Sequence, residues 1–171
     1  ITAPPAIAGS GSVTSSYNGA QLSCSGACDG KITVTASGGS GGLAYSIDGG
    51  NYQSSPVFSG LCAGVHTLSV RDTNGCVKSL TSVTITAPAA ITGSGSVTSN
   101  YNGSQLSCST ANDGVITVLA SGGTGLLTYS IDSGAYQSGN VFNNLSAGIH
   151  TLSVKDVNGC IKALTSVSIT A

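Results

Sequence analysis

The chain has 171 residues, with five Lys or Arg against six acidic residues and a formal net charge of −1. This balance offers no basic surface for nucleic acid and no basic amphipathic helix for a bilayer, so we expect no nucleic-acid partner and no direct membrane insertion. The chain has no Glu, and its Asp residues lie in turn motifs beside Gly or Asn. Short acids in such places usually bind backbone groups, so we expect no enzymatic activity and no cofactor.

The sequence consists of two copies of one unit. The N-terminal motif Ile1-Thr2-Ala3-Pro4 recurs at Ile85, and Cys24 and Cys76 recur as Cys108 and Cys160 without a gap. Such self-similarity predicts a tandem array of two domains, residues 1–86 and residues 87–171. Because the Ile-Thr-Ala motif stands at both ends of the sequence, we expect the chain to be a segment of a longer series.

Short alternating segments predict about seven strands in each copy. In the third of them, near residues 31–37, Ile32, Val34 and Ala36 share one face, as expected for a strand that is buried on one side. No segment has a helical period. The fold predicted is all-β, with two tandem antiparallel β-sandwiches of immunoglobulin-like architecture. In the first copy, the predicted strands lie near residues 7–13, 21–24, 31–37, 43–47, 52–58, 66–70 and 77–85.

The turn before the last strand contains Asn74-Gly75. This dipeptide is typical of a type I′ hairpin turn, whose two central residues both have positive φ. Asp72 and Asn74 also resemble part of a calcium loop. Calcium requires six to eight oxygen ligands, and this loop offers about two side chains, so a turn is the favoured interpretation.

The six cysteines are distributed unequally between the copies. Cys28 and Cys62 occur only in the first copy, where the second has Asn112 and Ser146. Two cysteines that are present together and absent together are expected to bond to each other. Zinc is the alternative, but the second copy keeps too few thiols for a four-ligand site, so we expect no metal. The predicted disulfides are Cys24–Cys76, Cys28–Cys62 and Cys108–Cys160.

At three positions, a polar or small residue of the first copy is replaced by an apolar residue in the second. These replacements change Lys31, Thr35 and Gly42 of the first copy to Val115, Leu119 and Leu126 of the second. Because an exposed apolar patch often marks an interface, we predict that this face of the second copy contacts a neighbouring chain or a covering loop. Neutral drift is the alternative interpretation.

The combined motifs resemble the SprB-type repeat, which occurs in long tandem series in bacterial surface adhesins, including those of gliding motility. The residues that carry the resemblance are Leu22-Ser23-Cys24, Asp29-Gly30, Ser37-Gly38-Gly39, Tyr45-Ser46-Ile47-Asp48, Leu61-Cys62-Ala63-Gly64 and Asp72-Thr73-Asn74-Gly75-Cys76. The resemblance implies immunoglobulin-like units, export to the extracellular face of a bacterial cell, and a stalk or adhesin role.

From the resemblance we expect the partners to be further copies of the repeat, with lateral self-association as a further possibility. A carbohydrate- or protein-binding module is the alternative function. Such a module would be expected to have an aromatic platform in one copy only, whereas Tyr17, Tyr45 and Tyr52 all recur in the second copy.

Overall fold

The computed structural model describes residues 2–171 and divides the chain into two compact units, of which the first ends at Pro88 and the second begins at Ala89. Within this range every regular element is a strand, and no segment forms a helix long and apolar enough to cross a bilayer. The predicted all-β class is confirmed.

The first unit has six strands in two antiparallel sheets. One sheet has the order β1-β2-β4 and the other β3-β5-β6. The strands are β1 Ala8–Val13, β2 Gly30–Ser37, β3 Leu43–Ile47, β4 Val57–Leu61, β5 Gly64–Asp72 and β6 Val77–Ile85.

The second unit repeats this arrangement. Its sheets have the orders β7-β8-β10 and β9-β11-β12, again antiparallel throughout. The strands are β7 Thr92–Val97, β8 Gly114–Ser121, β9 Thr128–Ile131, β10 Val141–Leu145, β11 Gly148–Lys155 and β12 Ile161–Ile169.

Each unit encloses one apolar core between its two sheets. In the first unit, Ile32 and Val34 of β2 face Leu68 and Val70 of β5, and all four side chains are buried. Burying a side chain of this size stabilises the fold by about 1.5–3 kcal/mol. The alternation of the sequence thus correctly predicted which face of each central strand is covered.

Glycine lets β1 approach the opposite sheet closely. A Cβ atom added at Gly11 would lie 2.2 Å from Leu68 Cδ1 and 3.1 Å from Val83 Cγ2. The equivalent Gly95 has the same surroundings, 2.2 Å from Leu152 Cδ1. A side chain at this position would therefore have to displace Leu68 in the first unit or Leu152 in the second.

The chain enters and leaves each unit at opposite ends of the sandwich. We call the end at which β1 begins the entry end; it also carries the β2–β3 and β5–β6 connections, where Asp72 lies next to Ser40. We call the end at which β6 finishes the exit end; it carries the segment before β2 and the β4–β5 turn, with Gly64 paired to Ile85.

Three local predictions differ from the structure. Within residues 2–171, the segment 21–24 forms bends rather than a strand, so each unit has six strands instead of about seven. The strand predicted near residues 52–58 begins only at Val57 and continues to Leu61. The Asn74-Gly75 turn is not type I′, because only Gly75 has positive φ. Instead, the Gly75 amide donates to the Asp72 carbonyl, 3.1 Å away, and the loop between the paired residues Asp72 and Cys76 has three residues, one more than the loop of a type I′ hairpin.

A different Asn-Gly pair forms a type I′ turn. Asn18 and Gly19 have φ values of 49° and 92°, and Tyr17 and Ala20 exchange two backbone hydrogen bonds around them. Asn102-Gly103 repeats this turn in the second unit, with φ values of 52° and 98°. These positive φ values are the ones that a two-residue type I′ turn requires.

Candidate functional sites at the two ends of each unit

A disulfide closes the exit end of the first unit. Cys28, just before β2, is bonded to Cys62 in the β4–β5 turn, across a separation of 34 residues. This predicted pair is therefore formed. Closing a loop of this length stabilises a fold by about 4 kcal/mol in the chain-entropy model. Asn112 and Ser146 occupy the equivalent positions of the second unit, which has no such closure.

A histidine and an aspartate meet beside this disulfide. His66 Nδ1 lies 2.7 Å from Asp48 Oδ2, and His66 Nε2 lies 3.1 Å from the carbonyl oxygen of Cys62. The other carboxylate oxygen of Asp48 accepts a hydrogen bond from the Thr67 amide at 2.8 Å. The imidazole thus connects the β3–β4 connection, the β4–β5 turn and β5.

The two acceptors around His66 define its charge state. A carboxylate and a carbonyl oxygen accept hydrogen bonds, so each ring nitrogen must carry a proton to satisfy both, and the imidazole is then a cation. Burial lowers the pKa of His66, but the hydrogen bonds to Asp48 and Cys62 raise it more, and the result is above the ordinary value. The hydrogen bond from His66 in turn lowers the pKa of Asp48.

The second unit has the same group. His150 Nδ1 lies 2.7 Å from Asp132 Oδ2, and Nε2 lies 3.1 Å from the Ser146 carbonyl oxygen. The pKa of His150 is raised despite its burial, by the hydrogen bonds to Asp132 and Ser146. The pairing of each histidine with an aspartate was missed in the sequence analysis. The separation of 18 residues in both copies carries no signal of its own, because the copies align without a gap.

At the entry end, a buried aspartate organises two loops. Asp72 Oδ2 accepts a hydrogen bond from the Ser40 amide at 2.9 Å, and Asp72 Oδ1 accepts one from the Cys76 amide at 2.9 Å. The pKa of Asp72 is lowered chiefly by the Ser40 amide, with the Cys76 amide contributing further. Asp156 accepts the equivalent bonds from Thr124 and Cys160.

This arrangement accounts for the Asp72 motif without an ion. Both carboxylate oxygens already bind backbone amides, one in the β2–β3 connection and one in the β5–β6 turn, which is a role expected of Asp in loops. Among residues 2–171 the structure contains no group of three or more His, Cys, Asp or Glu side chains arranged to hold a metal.

The predicted pairs Cys24–Cys76 and Cys108–Cys160 are wrong in this structure. Cys76 and Cys108 are exposed free thiols. Cys24 precedes β2 at the exit end, whereas Cys76 follows β5 at the entry end. The nine residues of β5 span about 30 Å, while the Cα atoms of a disulfide lie within about 7 Å of each other.

A turn explains why the prediction failed. The pairing required residues 24–28 to be extended, so that Cys24 could reach toward the far end of β5. Instead, the Ala27 amide donates to the Cys24 carbonyl at 3.1 Å, which closes a turn in that segment. Ala111 makes the equivalent bond to Cys108 in the second unit, at 3.0 Å.

The apolar positions peculiar to the second unit lie on its surface. Leu119 of β8 is 68% exposed, Leu126 in the β8–β9 connection is 82% exposed, and Val115 is partly exposed on the outward face of β8. Val115 and Leu119 alternate with the buried residues Ile116 and Val118, so they face away from the core. Their role as a contact patch stays a prediction.

A shallow depression lies at the entry end of the first unit. It has a volume of about 400 Å³ and is lined by residues 42–44 and 71–75. Its lining includes the cationic side chain of Arg71 and the backbone of the hairpin, but no aromatic ring. The depression therefore has no stacking platform of the kind that a carbohydrate site would use.

The family model of the SprB repeat matches the chain at residues 16–51 and 100–136, once in each unit. The resemblance derived from the motifs is thereby confirmed for these two segments, which together make up less than half of the chain. The two matched segments begin before the Asn-Gly turn of each unit and end after β3 or β9. A search of curated proteins finds no significant relative.

Among solved structures, the chain is similar to a 282-residue C-terminal fragment of intimin, crystallised with the intimin-binding domain of the translocated intimin receptor. The identity is 12%, the TM-score is 0.37, and the alignment covers 99% of this chain and 64% of that one. It is also similar to the fibronectin(III)-like modules of Clostridium thermocellum CbhA, with 16% identity, a TM-score of 0.36, and coverage of 94% and 93%. The chain thus spans less than two thirds of the intimin fragment.

Proposed function

We propose that the chain is a structural segment of a secreted bacterial adhesin, in which tandem repeats, here residues 1–86 and 87–171, build a stalk or filament at the cell surface. The proposed role is mechanical: the segment spaces and displays a distal adhesive part, in cell adhesion or gliding motility. It acts without catalysis and without a cofactor, and its partners are further copies of the repeat.

The observation that carries this proposal is the polarity of each unit. β1 begins at the entry end, and the chain leaves the unit after β6 or β12 at the exit end. At the exit, the Thr86 amide donates to Gln21 Oε1 at 2.7 Å, and Thr170 donates to Gln105 in the same way. A module that is entered at one end and left at the other suits a series that lengthens with each copy.

The closures at the two ends support the same role. The Cys28–Cys62 disulfide and the His66–Asp48 pair hold the exit end, and Asp72 holds the entry end. They tie loops together, and loops are where proteolysis and local unfolding begin. A disulfide also suits an extracellular setting, since thiols stay reduced in the cytosol.

Small-angle X-ray scattering of chains with two, four and six repeats tests the proposal. The maximum dimension should grow in proportion to the number of repeats, by about 30 Å for each repeat if β5 and β6 run along the long axis. Growth only with the cube root of mass, as in a compact particle, would contradict it. Unfolded material is excluded by the circular-dichroism spectrum of each chain.

A protein-binding module is the second candidate, because Leu119 and Leu126 are exposed apolar residues that the first unit lacks. Lateral association of neighbouring filaments through this face is one form that it could take. Sedimentation velocity of the two-repeat chain over a range of concentrations tests it. Concentration-dependent association that is lost in Leu119→Thr/Leu126→Gly would favour this role, and a monomer at every concentration would count against self-association.

A further inference from the structure

The two free thiols lie at opposite ends of their respective units. Cys76 is exposed at the entry end of the first unit, directly after the turn that Asp72 caps. Cys108 is exposed at the exit end of the second unit, in the segment before β8. Neither thiol is sequestered in a core, so both are accessible to a reagent or to another protein surface.

Each unit carries the same pair of positions: an exit-end cysteine, Cys24 or Cys108, and an entry-end cysteine, Cys76 or Cys160. The length of β5 or β11, about 30 Å or slightly less, separates the two ends of a unit. A repeat therefore cannot close this pair on itself, because disulfide geometry requires Cα atoms within about 7 Å. In both copies, a disulfide at either of these positions therefore has to join a cysteine outside that repeat.

We propose that Cys76 and Cys108 are linking cysteines, which form disulfides with repeats that precede and follow this chain in the series. The thiol of Cys108 bonds to the entry-end cysteine of the following repeat, and the thiol of Cys76 bonds to the exit-end cysteine of the preceding repeat. The partner in each case is another copy of the SprB repeat. The inference rests on the proposed function in requiring repeats in series.

The chemistry is a thiol–disulfide exchange with a disulfide oxidant, such as oxidised glutathione. The thiolate of one cysteine attacks a sulfur of the oxidant, forms a mixed disulfide and releases one reduced thiol. The thiolate of the partner cysteine then attacks the protein sulfur of that mixed disulfide and releases the second reduced thiol. Two protein thiols are oxidised and one disulfide oxidant is reduced.

The surroundings of Cys108 favour the first of these steps. Its pKa is lowered, chiefly by a hydrogen bond from the Thr110 amide, and further by the Thr110 hydroxyl at 3.8 Å from the sulfur. A lower pKa raises the thiolate fraction near neutral pH, and the thiolate is the nucleophile. The turn that keeps Cys108 away from Cys160 thus also prepares it for exchange.

A four-repeat chain tests the proposal directly. In it, residues 1–171 are joined to a second copy that starts at Pro4, so that the junction again reads Ile-Thr-Ala-Pro. After oxidation with glutathione, free thiols are alkylated and the chain is mapped by non-reducing peptide mass spectrometry. We expect a disulfide between Cys108 of the first copy and Cys76 of the second, with Cys28–Cys62 intact in both.

Two matched variants show whether the link is specific. Replacing only the first copy's Cys108 by Ser should leave the second copy's Cys76 alkylated as a free thiol. In a second variant, the second copy's Cys76 becomes Ser and its exposed Lys31 becomes Cys, which offers a thiol on a strand face instead. Loss of the link in this variant supports the proposal. Equal linking to the strand thiol would contradict it, because the bond would then reflect random collision.

Other results of the map also decide the matter. Recovery of Cys108 and Cys76 as alkylated thiols after oxidation would overturn the inference, as would a bond from Cys108 to Cys160 or from Cys76 to Cys24. Scattering from the same four-repeat chain keeps the two proposals apart. An extended chain without the disulfide would support the proposed function and contradict the linking role of the cysteines. A chain that forms the disulfide but is compact would support the linking role and contradict the proposed function.

Discussion

Asp48 and His66 form an ion pair with 2.7 Å between Oδ2 and Nδ1, and the Cys62 carbonyl accepts a hydrogen bond from the opposite ring nitrogen. Asp132 and His150 repeat the pair in the second unit. A histidine between two acceptors satisfies both only when it is doubly protonated, so the pair ties the stability of each unit to pH.

The pH dependence follows from the two pKa shifts. The pKa of each histidine is raised in the folded chain, so its contribution is complete below its unfolded value of 6.5 and is lost as the pH rises through the folded value. The pKa of each aspartate is lowered, so its contribution is present above 3.8 and is lost as the pH falls through the folded value. We expect stability to be highest between these limits.

Urea unfolding at pH 5.5 and pH 8.5 measures this effect. We expect the free energy of unfolding to fall by about 0–1 kcal/mol per pair at the higher pH, because the aspartates are partly exposed and the pair is screened by solvent. The measurement is made in a Cys76→Ser/Cys108→Ser background, which has neither free thiol. In that background His66→Gln/His150→Gln should abolish the difference, and an unchanged difference would contradict the assignment.

Loss of the Cys28–Cys62 disulfide should lower the stability of the first unit only. Replacing both cysteines with the residues of the second unit, as Cys28→Asn/Cys62→Ser, removes a closure across 34 residues. We expect the first unit to lose up to about 4 kcal/mol, while the second unit is unaffected. Hydrogen exchange followed by peptide mass spectrometry resolves the two units. The control is Cys76→Ser/Cys108→Ser, which should leave both unchanged, and equal loss of protection in both units would refute the prediction.

Gly11 should tolerate no side chain. A Cβ at this position would lie 2.2 Å from Leu68 Cδ1, so Gly11→Ala forces the two sheets apart and should cost about 1–3 kcal/mol. Gly26→Ala is the matched control, because a Cβ there meets no atom within 4 Å. The midpoint of chemical unfolding compares them. If both variants had the same midpoint as the original chain, the close approach of β1 to the opposite sheet would be in doubt.

The outward positions Leu119 and Leu126 should be dispensable for folding. Because both side chains are largely exposed, Leu119→Thr/Leu126→Gly should change the free energy of unfolding by less than about 0.5 kcal/mol. Thermal unfolding followed by circular dichroism checks this. A large loss of stability would show that the two residues support the fold instead of facing a partner. The reciprocal variant Thr35→Leu/Gly42→Leu places the same residues on the first unit.

The sequence predicted the elements governed by local pattern. Alternation at Ile32 and Val34 identified a buried strand face, and the comparison of the copies identified the Cys28–Cys62 bond. The pairing of Cys24 with Cys76 failed because it depends on which end of the sandwich each loop occupies. Periodicity does not contain that information, since a turn at residues 24–27 has no apolar signal.

The Asn-Gly turns also show that a local sequence pattern does not always determine the local structure. The dipeptide at residues 18–19 forms the type I′ turn, whereas the one at 74–75 does not, because the Asp72 carboxylate binds the Cys76 amide and holds a longer loop. The Asp48–His66 contact was likewise missed, since it joins two elements whose proximity arises only when β3 pairs with β5. Side-chain partners across strands follow from the register, which the sequence alone did not give.

Electron microscopy of the native, full-length protein on the cell surface tests the central claim most directly. A stalk built of these repeats should appear as a long, thin filament, beaded at a regular spacing of about 30 Å, the length of one nine-residue strand. Gold-labelled antibody raised against this chain should decorate the filament along its length. Labelled particles that are compact and discrete, with no filament, would contradict the proposed stalk and favour a binding module.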